Sequence, residues 1–191
     1  VFTEMLAAEV LKTTPTKNKA ALREAKRGIL DYLASAFAGR EDAGVLKLLH
    51  AIEAEGGHPV AALIGQNKRA NRRQAALVNG FMGHALDYDD VHSDVRGHPS
   101  SVILPALFAL AAGREISGKQ FLDAYIIGVE VMARLGQAFG TISYLQGWHN
   151  TSLLGGVAAT FAGARLLGFT VAETQNAVGI AASQAAGLRV Q

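Results

Sequence analysis

Between positions 84 and 98 the chain places three histidines and four aspartates, within a sequence that is 50% apolar. The stretch reads His84-Ala-Leu-Asp87-Tyr-Asp89-Asp90-Val-His92-Ser-Asp94-Val-Arg96-Gly97-His98-Pro99. An apolar helix runs in from the Asn79 side and another runs out towards Leu110. Charges buried among apolar side chains are costly unless they are paired, bound to a ligand or coordinating a metal. A polar knot held between two core helices is therefore a candidate site. Three interleaved imidazoles and the Gly97-His98-Pro99 step distinguish it from a solvated acidic loop.

The rest of the chain reads as helices. Phe2 to Leu11 has apolar side chains at helical spacing and is stopped by Thr13-Thr14-Pro15. A second helix spans Lys19 to Ala38, with Leu22, Ala25, Ile29, Leu33 and Phe37 as its buried stripe and Gly39 as its stop. Val45 to Glu55 is a third, closed by Gly56-Gly57. Val60 to Ile64 is a short apolar run, either a lone strand or an extended packing segment. Asn71 is an N-cap for a fourth helix reaching Leu86, which delivers His84 and Asp87 on one face of its C-terminal end. Pro99 and Ser100 open a fifth helix, kinked or restarted at Pro105. Ser117-x-x-Gln120 and Thr170-x-x-Glu173 are capping boxes. They start helices reaching about Phe139 and Ala186. Between these, Ser152 to Leu167 forms a helix capped by Gly168. The expectation is an all-α, bundle-like domain with no internal boundary. Gly155, Gly156, Gly163 and Gly179 fall inside helices, where each costs about 1 kcal/mol against Ala, so close helix–helix contact is the expected return.

Composition narrows the function. Without cysteine there are no disulfides and no thiolate metal sites. A net charge of +2 and scattered Lys and Arg give no nucleic-acid patch. No signal peptide and no stretch of membrane-spanning length is visible, so a cytoplasmic protein is expected. The chain begins at Val1 without Met and stops at Gln191 without C-terminal punctuation, and reads as a piece of something longer.

A second polar island, Trp148-His149-Asn150, stands before the Gly-rich apolar helix. A helix start of this kind favours anions through its free N–H groups and dipole. The two islands together offer Asp87, Asp89, Asp90 and Asp94, the imidazoles of His84, His92, His98 and His149, and the guanidinium of Arg96. Two chemistries fit this set. One is general acid–base work on an anionic substrate. The other is a divalent metal site. No phosphate loop or nucleophile elbow occurs.

The motifs Asn79-Gly80, His84-x-Leu86-Asp87-Tyr88-Asp89-Asp90, Gly97-His98-Pro99-Ser100 and Leu104-Pro105-Ala106-Leu107 resemble those of the MmgE/PrpD family, and the resemblance covers the chain from end to end. Gly147-Trp148-His149 and Ala164-Arg165-Leu166-Leu167-Gly168 add to it. The family includes 2-methylcitrate dehydratase, cis-aconitate decarboxylase and iminodisuccinate epimerase. The resemblance implies a large helical domain, usually dimeric, with a smaller lid domain later in the chain, and a site for small polycarboxylates that uses neither metal nor cofactor. Position by position it makes Asp87, His98 and His149 catalytic, with Asp90, Val91, His92 and Arg96 as substrate-binding candidates. Val91 stands where the family often has Thr, so a hydroxyl contact is missing.

From this resemblance, dehydration of 2-methylcitrate or a close analogue is the first expectation, followed by epimerisation of an iminodisuccinate-like diacid and decarboxylation of cis-aconitate. The expected partners are a polycarboxylate and a second copy of the chain, with no nucleic acid and no membrane. The resemblance also places a site lysine beyond Gln191, so residues 1–191 alone are expected to be catalytically silent. Two other classes compete: a metal-dependent hydrolase built on the His/Asp cluster, and a structural or dimerisation unit.

Overall fold

A computed structural model describes residues 2–189. Among them the architecture is all-α. Its helices are α1 (Phe2–Lys12), α2 (Lys19–Gly39), α3 (Ala43–Glu55), α4 (Arg72–His84), α5 (Ser100–Ala111), α6 (Gly118–Leu135), α7 (Thr141–Leu145), α8 (Asn150–Leu167) and α9 (Val171–Ser183). A single 3-10 turn, Pro15–Lys17, joins α1 to α2, and a π-helical segment, Gly136–Gly140, joins α6 to α7. No described helix is long and apolar enough to cross a membrane.

Local signals start most of these helices. The side chains of Asn71, Ser117 and Thr170 each accept a bond from the backbone N–H three residues on, and Gln74, Glu173 and Gln120 reach back to complete capping boxes. Asn71 was expected only as an N-cap, so the box at α4 is an addition. Gly168, left-handed at φ 70°, ends α8.

The centre is a layer in which α6 lies against α8, α5 against both α4 and α8, and α2 against α4. Tyr32, Met82, Ile103, Leu104, Leu107, Met132 and Phe161 are fully buried there. Pro105 sits inside α5, whose first turn is at Ser100. It has no N–H for the Ser101 carbonyl. That carbonyl faces Gly80 of α4, where any Cβ would stand 3.2 Å from it. Gly155 and Gly163 give the close approach expected of them: a Cβ would meet Val102 or Leu110 at 2.9 Å. Gly156 and Gly179 face open space instead.

Several boundaries differ from those expected. The buried stripe of α2 holds in part: Ala25 is buried and Ile29 and Leu33 pack against the core, but Tyr32 and Ala36 are buried too, while Phe37 is exposed beneath the Arg40 guanidinium. The Tyr32 hydroxyl donates to the Asn79 carbonyl at 2.9 Å, which satisfies its polar end inside the core. The apolar run after Pro59 is a strand, β1 (Ala61–Ala62), paired antiparallel with an unforeseen β2 (Arg69–Ala70) in the register Ala61↔Ala70 and Ala62↔Arg69. Asn79 holds this hairpin to α4, donating to the Ala62 carbonyl and accepting from the Ile64 N–H. Helix α4 stops at His84 rather than Leu86, and α8 begins two residues earlier than expected, at Asn150. Helix α9 ends at Ser183, not Ala186. The chain then turns back, and residues 187–189 pair with 147–149 through a Trp148↔Leu188 bridge.

Candidate active site

The site forms where α4 ends. After His84 the chain turns, and Asp87 takes a left-handed conformation at φ 54°. Asp tolerates that region better than most residues. The reversal returns Asp89 to the helix end, where His84 Nδ1 lies 2.9 Å from Oδ1 and 3.2 Å from Oδ2. The Asp89 side chain is wholly buried. Burial pushes its acidity down, but the hydrogen bond and charge of His84 outweigh this and hold the carboxyl below its usual range. The same bond raises His84 above the ordinary imidazole value against the opposing effect of burial.

His98 stacks obliquely on this pair, its ring centroid 4.6 Å from that of His84. Its Nδ1 is 3.4 Å from Asp89 Oδ1, and its Nε2 is 3.6 Å from Asp87 Oδ1. The buried Nδ1 makes no formed hydrogen bond. His149 approaches from the start of α8. It occupies the N-cap position without using its side chain as a cap. Its ring centroid is 6.3 Å from that of His84. Burial, and then the charges of His84 and His98, lower its pKa.

The approach of His98 is set by a latch under the 92–97 loop. The loop closes on itself, with the His92 N–H donating to the Gly97 carbonyl and the Arg96 N–H to the His92 carbonyl. Val95 is buried. The buried Asn150 amide donates to the carbonyls of Val95 (2.7 Å) and Gly140 (2.9 Å) and accepts from the Ser143 hydroxyl. Gly136, in the π segment, lies so close that a Cβ would stand 2.5 Å from the Asp94 carbonyl oxygen. The His98 N–H donates to Thr151 Oγ1 at 3.0 Å, tying the histidine to the first turn of α8.

The three residues expected to be catalytic, Asp87, His98 and His149, thus converge. Beside them lies a cavity of about 430 Å³, lined by Phe81, His84, Ser101, His149, Thr151 and Ser152 among others. The four substrate-binding candidates do not gather there. Asp90 accepts from the N–H and hydroxyl of Ser100 at 3.0 and 2.6 Å. Its side chain lines a separate groove of about 750 Å³ between α2 and α6. Val91 is exposed. His92 is half-buried, and its Nδ1 has no hydrogen-bond partner. Arg96 reaches over the ring of Tyr144. Of the histidines, His84 and His149 line the smaller cavity.

Two central groups had no assigned role in the sequence. His84 counted only as one imidazole among four, and Asp89 only as one carboxylate of an acidic run. Their five-residue separation matches no helical contact. Only the left-handed turn at Asp87 makes them neighbours. The ligand atoms of His84, Asp87, Asp89 and His98 all lie within 4.8 Å of one another, a group of N and O donors that could hold a divalent cation.

The model of the MmgE/PrpD N-terminal domain matches residues 4–191. The chain belongs to the MmgE/PrpD family. It is similar to a cis-aconitate decarboxylase-like protein of Aspergillus oryzae, with 36% identity over 175 residues covering 87% of this chain and 36% of that protein. It is also similar to cis-aconitate decarboxylase of Aspergillus terreus, at 34% identity over 87% of this chain and 35% of the relative. The mouse cis-aconitate decarboxylase is 29% identical over 86% of this chain and 35% of its own length. The chain therefore spans about a third of the length of these relatives. The helical part that the MmgE/PrpD resemblance implied is the part described here, and the His/Asp cluster lies within it.

Proposed function

We propose that this chain carries the acid–base centre of a cofactor-free lyase acting on a small polycarboxylate. The observation that carries the reading is a pair of histidines, His84 and His149, with ring centroids 6.3 Å apart and acidities moved in opposite directions. Groups whose surroundings separate their pKa values in this way divide into acid and base. His149 is the neutral acceptor. His84, protonated and held by Asp89, supplies positive charge beside the cavity. His98 is the positioned donor, with Asp87 beside its Nε2.

Loss of a proton next to a carboxylate leaves its electron pair on carbon, delocalised as an enediolate. Loss of CO₂ leaves an equivalent carbanion, which then takes a proton. Both need cationic charge and hydrogen-bond donors around the developing anion. The similarity to cis-aconitate decarboxylases moves decarboxylation of a cis-aconitate-like tricarboxylate ahead of the 2-methylcitrate dehydration first expected. The test is a panel of di- and tricarboxylates on the full-length protein, scoring CO₂ release, water loss and epimerisation separately. Turnover of none of them would overturn the reading.

The four-residue donor cluster favours one second reading, a metal-dependent hydrolase. Two donors about 2.1 Å from a tetrahedral cation sit roughly 3.4 Å apart. The 2.9 Å contact between His84 and Asp89 is closer, and already satisfies both groups. That contact supports the lyase reading. Elemental analysis with chelation and metal add-back decides between the two. We further propose that the active form is a homodimer. In support, large apolar side chains such as Leu30, Leu46, Ile142 and Ile180 are exposed, and the mass in solution tests it.

A further inference from the structure

Two hydroxyls of the cavity wall hold His98 by its own backbone. The His98 N–H donates to Thr151 Oγ1 at 3.0 Å, and the His98 carbonyl accepts from Ser101 Oγ at 3.1 Å. Thr151 and Ser101 are both buried, and both line the cavity together with His84 and His149. Gly97 makes the contact with Thr151 possible. A Cβ there would stand 2.6 Å from Thr151 Oγ1 and 3.0 Å from the Thr151 backbone nitrogen, so glycine lets the loop close on the first turn of α8.

The two hydroxyls are spent differently. A hydroxyl has one proton to give and two lone pairs with which to receive. Ser101 gives its proton to the His98 carbonyl. Thr151 receives the His98 N–H, and among the described residues no acceptor takes its own proton. Thr160 and Thr174, by contrast, each donate at 2.8 Å to the carbonyl four residues back. For Thr151 that carbonyl belongs to Gly147, which lies outside α8 and accepts from the Arg189 N–H. Ser152, next in the chain, is exposed and has water for its hydroxyl, whereas Thr151 is 5% exposed. Buried polar groups are almost always bonded. A buried donor at a cavity wall is therefore completed by an acceptor inside the cavity. The N-terminal end of α8 favours a negatively charged one, and a carboxylate is the acceptor that a polycarboxylate brings.

We propose that Thr151 donates its hydroxyl proton to a substrate carboxylate oxygen in the cavity while its oxygen keeps the His98 N–H, so that one side chain both binds the substrate and places His98. This rests on the polycarboxylate reading above and adds a residue to it. Hydrogen bonds in a chain polarise one another. A hydroxyl that gives its proton to a carboxylate accepts more strongly, so bound substrate tightens the bond that fixes His98. The acid–base steps stay with the histidines, and Thr151 binds and positions.

The test uses the full-length protein and the unreactive acid propane-1,2,3-tricarboxylate. Binding is read from calorimetric titration with this acid, or from KM for whichever acid the panel above shows to be turned over. Thr151→Val keeps the shape of the side chain and removes the hydroxyl. It should weaken binding roughly tenfold or more, the size of a lost charge-assisted hydrogen bond, and lower kcat as well. Thr151→Ser keeps the hydroxyl and should restore both. A second measurement needs no variant. In protein carrying isotope-labelled histidine, saturating acid should slow hydrogen exchange at the His98 amide at least about threefold more than at the amide of His50, which lies in α3. A Thr151→Val protein that binds as tightly as wild type, or a His98 amide that slows no more than that of His50, overturns the proposal and leaves the lyase reading standing. If wild-type protein neither binds nor turns over any polycarboxylate, both fall together.

Discussion

His84 Nδ1 meets both carboxylate oxygens of Asp89, at 2.9 and 3.2 Å, and the Asp89 side chain is fully buried. Each group shifts the other in the direction that keeps both charged. His84 is raised, so its contribution to stability is complete below the unfolded imidazole value near 6.5 and is lost as pH rises through the folded value. Asp89 is lowered, so its contribution is complete above the unfolded value near 3.8 and is lost as pH falls through the folded one. The pair therefore stabilises most between about pH 4 and 6.5. Asp89→Asn should lower stability by about 1–2 kcal/mol in that window, the low part of the range for a charge-assisted bond, because the His84 ring is 38% exposed and partly screened by water. Denaturant titrations at pH 5.5 and 8.5 check this. An equal loss at both values would show that the pair is not charge-coupled.

The same separation of acidities predicts a bell-shaped dependence of kcat/KM on pH. The acid limb belongs to His149, whose lowered pKa keeps it neutral until the pH falls below the ordinary imidazole range. The alkaline limb belongs to His84, which deprotonates above that range. His84→Gln should remove the alkaline limb and leave the acid one. His149→Gln should lower the rate by ~10²–10⁴ at every pH. A wild-type rate that is flat from pH 5 to 9 would separate these histidines from the chemistry.

Asp90 is predicted to act on the fold and not on the substrate. Its carboxylate accepts from the Ser100 N–H at the first residue of α5, where Pro99 provides no side-chain cap. The Tyr125 hydroxyl, its pKa pushed up to about 12 by burial, donates to Ser100 Oγ, which in turn donates to Asp90. A carboxylate at a helix N-terminus also faces the favourable end of the dipole. Asp90→Ala should cost about 1–3 kcal/mol in thermal or denaturant unfolding, with KM for the polycarboxylate changed less than threefold. A large rise in KM with stability intact would return Asp90 to the binding residues.

The general fold was legible because helix caps and apolar periodicity are local properties. Ser117, Thr170, Asn71 and Gly168 each act where the sequence placed them. Asp87, His98 and His149 were named through motif resemblance, and the structure brings them near one another. What was hidden depends on tertiary closure. Nothing local announces that Asp89 returns to His84, because the turn needs a non-glycine residue in the left-handed region. Nothing local tells Asp89 from Asp90 either. The loop turns Asp89 to His84 and Asp90 to the groove between α2 and α6. Helix α9 ended early for a similar reason: residues 187–189 satisfy the backbone groups of Gly147 and His149, a partnership between segments that are about forty positions apart.

Asn150 offers the sharpest test of how the site is held. Its amide bonds two carbonyls from different segments, Val95 in the loop before His98 and Gly140 in the π segment, and its oxygen takes the Ser143 hydroxyl. All of this is buried. Asn150→Ala strands those partners, and each buried unsatisfied group costs about 1–3 kcal/mol. Relaxation and water entry recover part of that, so a loss of about 3 kcal/mol is expected. Asn150→Asp keeps the shape but removes the donors, and should do nearly as much harm. Gly136→Ala attacks the same latch from the other side by pushing a methyl group into the Asp94 carbonyl. Neither residue touches the cavity, yet both variants should lower kcat more than they raise KM, because the displaced loop carries His98. Loop-specific hydrogen exchange at residues 92–98 should rise in both. Full activity in a folded Gly136→Ala protein would show that the π segment does not position His98.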